Sequence, residues 1–129
     1  MSQRSRSSRQ PAPVPQFQIA VVSGTIRGEV VLGRTSVGEP VCSFDLVVDD
    51  GGGRCLVPVT WRGVERPALA AGAAVAVRGR ITKRFHRAGA TTVARTALEA
   101  VEVAHAPRSA TLQRLTDRAL DAARGSTRA

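Results

Sequence analysis

The chain has 129 residues, a length that suits one domain with tails, and its formal net charge of +9 rests on 19 basic against 10 acidic side chains. No stretch reaches the roughly 18 uninterrupted apolar residues of a transmembrane helix. The N-terminal MSQRSRSSRQPAPVPQ has no apolar run of the kind a secretory signal carries. The excess of base favours a polyanionic partner, nucleic acid or an anionic surface. Of the basic residues 18 are arginine and only Lys83 is lysine, a ratio that a GC-rich genome also produces. Cys42 and Cys55 have no metal-ligand spacing, so without an export signal they read as free thiols in the cytoplasm.

In chain order, residues 1–16 alternate arginine and serine and then proline. They cannot bury a core and read as a disordered basic arm. FQIAVVSGTI, from Phe17, is β-branched and apolar and reads as a strand bent at Gly24, with Phe17 pinning its start. RGEVVLGRTSVGEP reads as a polar connection with a short apolar insert. PVCSFDLVVDD alternates, with Cys42, Phe44, Leu46 and Val48 on one face. The Asp49-Asp50-Gly51-Gly52-Gly53 turn and RCLVPVTW complete a hairpin over residues 40–61, and Pro58 puts its second strand at an edge or on a bulge.

VERPALAAG suits one or two helical turns stopped by Gly72. AAVAVRGRI is a fourth strand, with Val75, Val77 and Ile81 on one face, Arg78 and Arg80 on the other, and a bend at Gly79. TKRFHRAGATT reads as a hairpin arm around Ala88-Gly89, and VARTALEAVEVA as the fifth strand. SATLQRLTDRALDAARG reads as a C-terminal helix capped by Ser109 or Thr111, striped by Leu112, Leu115, Ala119 and Leu120, and stopped by Gly125. Five strands with a short helix between the third and fourth is the order of an all-β, five-stranded OB-fold barrel. The expected organisation is the arm at 1–16, the barrel at 17–105 and the helix with its tail at 106–129. Roughly 85–95 ordered residues lie near the lower range for a chain that folds alone, so self-association would help.

An OB barrel grips a single strand with a cationic groove for phosphates and flat rings on which bases stack. The chain has no tyrosine, and its aromatics are Phe17, Phe44, Trp61 and Phe85. Phe44 lies in the apolar phase and reads as core. Trp61 shares the parity of Cys55, Val57 and Val59, which are themselves apolar or sulfur-bearing, so it reads either as core or as a stacking platform at a groove's rim. Phe85 lies between Lys83, Arg84 and Arg87, and an apolar ring among cations suits base stacking beside phosphates. Arg78 and Arg80 extend that basic run, and Arg34 and Arg54 lie in two connections that could line the same groove. There is no phosphate-binding GxxxxGK[ST], no GxSxG and no His, Cys and carboxylate cluster. The chain therefore reads as a non-enzyme, with no catalytic residue, no metal and no cofactor. Asp49-Asp50 reads as turn chemistry.

The order SGTIRGEVVLGRTSVGEPVCSFDLVV, CLVPVTWRG, ALAAGAAVAVRGRITKRF and ARTALEAVEV resembles the bacterial single-stranded DNA-binding protein family over residues 17–104. The resemblance implies sequence-independent binding of single-stranded DNA in replication, repair or recombination, in the cytoplasm at the nucleoid. It implies stacking roles at Trp61 and Phe85, basic contacts at Arg80, Lys83 and Arg84, and assembly as a homo-oligomer, a tetramer or a dimer. The chain departs from the family at Cys55, where some members carry a stacking tryptophan, and in the short DDGGGR connection. Its end, GSTRA, lacks the acidic, phenylalanine-ended tip that recruits partners. Fewer rings imply weaker binding and a larger share for arginine, hence steep salt sensitivity. The competing expectations are an OB-fold protein-interaction subunit whose C-terminal helix docks on a partner, and an RNA-binding module of the same fold. No membrane partner is expected.

Overall fold

A computed structural model describes residues 16–127. The basic arm at 1–16 lies, Gln16 excepted, outside the described residues. Five strands are followed by one helix: β1 (Ala20–Arg34), β2 (Pro40–Asp49), β3 (Arg54–Arg62), β4 (Ala74–Ala88), β5 (Thr91–His105) and α1 (Ser109–Thr127). The strands close into a barrel in the order β1-β2-β3-β5-β4. This is consistent with the OB-like barrel expected from the order of elements.

The alternation in β2 places Cys42, Phe44 and Leu46 inside the barrel, at no more than 3% exposure. They meet Ile26 of β1, Val59 of β3, Val75 and Val77 of β4 and Leu98 of β5 in one core cluster. Burying each such side chain contributes about 1.5–3 kcal/mol. The β2–β3 hairpin pairs without a register shift from Val41↔Arg62 to Asp49↔Arg54. Its turn is held by Asp49 and Asp50, whose carboxylates accept the Gly51 and Gly52 N–H groups at 3.3 and 3.0 Å. The barrel closes through a short parallel seam between β3 and β5: Val59↔Leu98, Thr60↔Glu99 and Trp61↔Ala100. Pro58 lies just before that seam, where β3 has one partner strand, so its missing N–H interrupts no second ladder. It makes no bulge against β2.

Three sequence expectations change. The connection read after the first strand is itself strand: β1 pairs with β4 through Ala20–Thr25, then with β2 as far as Arg34, with a register shift between Arg27 and Val31. Val30, Val31 and Leu32 thus form the second half of β1 rather than an insert. The short helix between β3 and β4 is absent; residues 64–73 form an irregular connection. Pro67 disfavours a helical Arg66, and the few residues left before Gly72 cannot repay helix nucleation. Backbone bonds instead tie this segment to β1, from Gly72 N to Ile26 O and from Ile26 N to Ala73 O. The helix, finally, runs through Gly125 to Thr127, and its first backbone bond, from Leu112 N to Arg108 O, puts Arg108 at the cap in place of Ser109 or Thr111.

α1 packs on the outer wall of β1 and β4. Leu115, Ala119 and Ala123 are buried there, as is the outward-facing Ala76. Glu102 of β5 fastens the contact: it accepts from Arg78 Nε at 3.1 Å and from Arg118 of α1. The helix stripe is therefore spent on the chain's own barrel. The turn into α1 passes through Ala106, whose φ of 44° is left-handed without being glycine.

Candidate nucleic-acid interface

β4 pairs with β1 only as far as Gly79, and β5 joins β3 only from Leu98 to Ala100. Between those limits, residues 82–97 pair only with each other. They form a two-stranded ribbon projecting from the barrel. Its loop is the two residues Gly89 and Ala90, and the Gly89 φ of 66° is what the first position of a type II′ hairpin turn requires. At the root, Arg78↔Glu102 is followed by Gly79↔Ala100, which leaves Val101 bulged out and 58% exposed. A Cβ on Gly79 would lie 2.1 Å from the Glu99 carbonyl oxygen, so only glycine lets β5 cross here.

Directly opposed residues of an antiparallel pair share a face. Ile81 opposes the buried Leu98, so the face that is interior in the barrel continues outward as Ile81, Lys83, Phe85 and Arg87. Phe85 is 68% exposed, with nothing apolar opposite it but Ala94. Lys83 and Arg87 flank it on the same face, spread over about 13 Å of strand. The other face carries Arg84 directly opposite Arg95, and nearer the root Arg80 opposite Glu99. From Ile81 to Leu98 the sequence has no acidic residue.

The basic run read from sequence is thus divided. Lys83, Phe85 and Arg87 share one face of the ribbon, and Arg84 lies on the reverse. Arg80 sits on that reverse side near the helix end, beside Phe17, and faces Glu99 in register. Phe17, expected to pin the first strand, precedes β1 and is itself exposed. Arg78 is held in the half-buried ion pair with Glu102. Arg34 lies at the far end of β1, where it donates to Glu65 at 2.5 Å and to Gly38 O at 2.9 Å. Trp61 opposes Cys42 and Ala100 and packs against the core cluster, half-buried.

A second surface lies on the barrel wall. An open groove of about 820 Å³ runs over β1, β2 and β3 and is lined by Ser23, Thr25, Arg27, Asp49, Arg54 and Cys55 among others. It includes Arg54 and adds Arg27. Each of these cations faces a carboxylate in register, Asp45 opposite Arg27 and Asp49 opposite Arg54, and no aromatic residue lines the groove. Arg95 and Arg27 escaped the sequence reading. Arg95 could have been found by counting back from the Gly89 turn, because Ala88↔Thr91 implies Arg84↔Arg95. Arg27 gave no such signal, since the second half of β1 read as a connection.

The thiols are unalike: Cys55 is exposed, whereas Cys42 is buried, and burial pushes its pKa up from 9.0. Among the described residues no cluster of three or more His, Cys, Asp or Glu could hold a metal ion, and no helix is long and apolar enough to cross a membrane. Compared with known families and with the curated proteins, the chain matches no family model and no curated sequence.

Proposed function

We propose that this chain is an OB-fold protein, a divergent relative of the bacterial single-stranded DNA-binding family, that binds single-stranded DNA without sequence preference. It would serve replication, repair or recombination and carry out no catalysis. The observation that carries the reading is the β4–β5 ribbon: an exposed ring, Phe85, on an acid-free arm with Lys83, Arg84, Arg87 and Arg95. Stacking of a base on an aromatic side chain is tolerant of sequence because every base has a face to offer, and neighbouring cations neutralise phosphates. Phe85 is the stacking ring and Lys83 and Arg87 its phosphate partners. Trp61, half-buried against the core cluster, is left out of this stacking surface.

The same chemistry would accept single-stranded RNA, whose added 2′-hydroxyl no feature of the ribbon selects or rejects. A protein-interaction reading rests on another region. Val31, Leu32 and Val37 are 62%, 60% and 87% exposed at the turn end of the β1–β2 hairpin, an apolar end suited to a second copy of the chain. The helix no longer supports a partner reading, because its apolar stripe is covered.

Fluorescence anisotropy of a labelled dT oligomer, at two salt concentrations and with duplex DNA and oligo-rU as competitors, tests the proposal. Binding that weakens with salt and that duplex does not displace is the expected result. If duplex competes as well as the single strand, the proposal fails. Equal competition by oligo-rU would widen the ligand class to both nucleic acids.

A further inference from the structure

Resting on the single-strand reading above, we infer that the ribbon holds two segments of single-stranded nucleic acid at once, one on each face. The cations fall on both faces of a two-stranded ribbon whose two strands are each a free edge. One face presents Lys83, Phe85 and Arg87. The segment stacked on Phe85 does not itself contact the reverse face, where Arg84 and Arg95 stand directly opposite one another. Like charges opposed across a β pair destabilise it. Among the described residues no carboxylate makes an ion pair with either arginine, and the nearest acid on that face, Glu99, lies toward the root opposite Arg80. A folded hairpin that keeps this repulsion has a place for a phosphate between the two guanidinium groups, which present donors in a planar fork suited to phosphate oxygens.

The two faces differ in kind. The Phe85 face offers a ring and two spaced cations and binds base and backbone. Among its described side chains the Arg84–Arg95 face offers charge, with Val93 and Ala97 beside it on β5. It holds the backbone chiefly through charge and yields first to salt. A protein of this build brings two strands together, or folds one strand back on itself around the ribbon.

The test uses the full chain and two short dT oligomers, one carrying a donor dye and one an acceptor, with anisotropy of the donor oligomer read in parallel. The expected result is energy transfer between oligomers at protein excess over neither, lost at a salt concentration where the first oligomer is still bound. R84Q/R95Q should abolish the transfer, while the donor oligomer still binds, more weakly than to the parent, through the face of Lys83, Phe85 and Arg87. The double variant should also melt at a higher temperature than the parent without DNA, because the opposed charges are gone. A doubly labelled long dT strand separates the sources: end-to-end compaction without transfer between short oligomers means one wrapped strand. Transfer that survives in R84Q/R95Q, as bridging by separate subunits would give, overturns the inference, and so does wild-type binding with neither transfer nor compaction. Absence of any anisotropy change overturns the single-strand reading itself.

Discussion

Below Gly79, β4 carries Val75, Ala76 and Val77, all fully buried; above it the same strand carries Ile81, Lys83, Arg84, Phe85 and Arg87, all exposed. Barrel and ribbon share two strands and one continuous register, yet they answer to different forces. In the barrel each inward side chain is held by neighbours from other strands. On the ribbon each residue has one cross-strand partner and water, and an isolated two-stranded hairpin is at best marginally stable. The contrast with the wall groove is as informative. There Arg27 and Arg54 face Asp45 and Asp49, whereas the ribbon cations face threonine or another arginine. Charge that is already balanced has little to offer a polyanion, so the binding proposed above is assigned to the unbalanced ribbon, with the barrel as its mount.

The sharpest way to break this division is to truncate one ring from each part. Phe44→Ala should cost about 3–5 kcal/mol of stability, read as a shift in the denaturant midpoint. Phe85→Ala should leave stability within about 0.5 kcal/mol. In the binding assay the order reverses: Phe85→Ala should lose about 1–3 kcal/mol of single-strand affinity. Equal stability losses would mean that the ribbon ring is a plug and the division is false. Glu102→Gln, which loosens both Arg78 and Arg118, should cost roughly 1–3 kcal/mol of stability with no change in affinity once the variant is folded.

A finer probe compares cations. Lys83→Ala or Arg87→Ala should each reduce the slope of log K against log salt by about 0.7, and Arg27→Ala or Arg54→Ala should leave it where it was. A matching loss at Arg54 would move the path of the strand onto the barrel wall. Alkaline pH separates the two thiols. With its folded pKa raised by burial, Cys42 adds stability that is complete below 9.0 and is lost as pH climbs through the higher folded value. The slope of stability against pH above 9.0 should flatten in Cys42→Ala. Native protein should alkylate at Cys55 and not at Cys42. The smallest effect expected is a gain of about 0.5–1 kcal/mol for Ala106→Gly, which relieves a left-handed alanine outside both regions.

Much of the barrel could be read before the structure because β2 obeys a strict two-residue period and its turn is spelled by two aspartates and three glycines. The division of the site could not be read so directly. Parity along β4 separates Arg84 from Phe85, but only the partner strand shows that Arg95 completes the reverse face, and that register depends on a loop of two residues. Trp61 was open to two readings because both parities of β3 are partly apolar, and cross-strand pairing with Cys42 and Ala100 turns it toward the core. The missed second half of β1 has a similar cause. Gly28 and Gly33 look like loop residues, yet Gly33 pairs with Val41 of β2, and Gly28, at a φ of 74°, sits in the irregularity between Arg27 and Val31 that lets the strand continue. The short helix does not form because Pro67 leaves the alanine-rich stretch too few residues before Gly72.

Leu98 belongs to two structures at once. It opposes Val59 in the three-residue seam that closes the barrel and Ile81 at the root of the ribbon. A parallel ladder this short is the weakest join in the ring, and the lever that projects from it is 16 residues of hairpin. If the proposed strand binding holds, tension in a strand on the ribbon would be delivered to the seam first. Load on the ligand would then favour opening of the barrel, and amide exchange at the seam is where it would register.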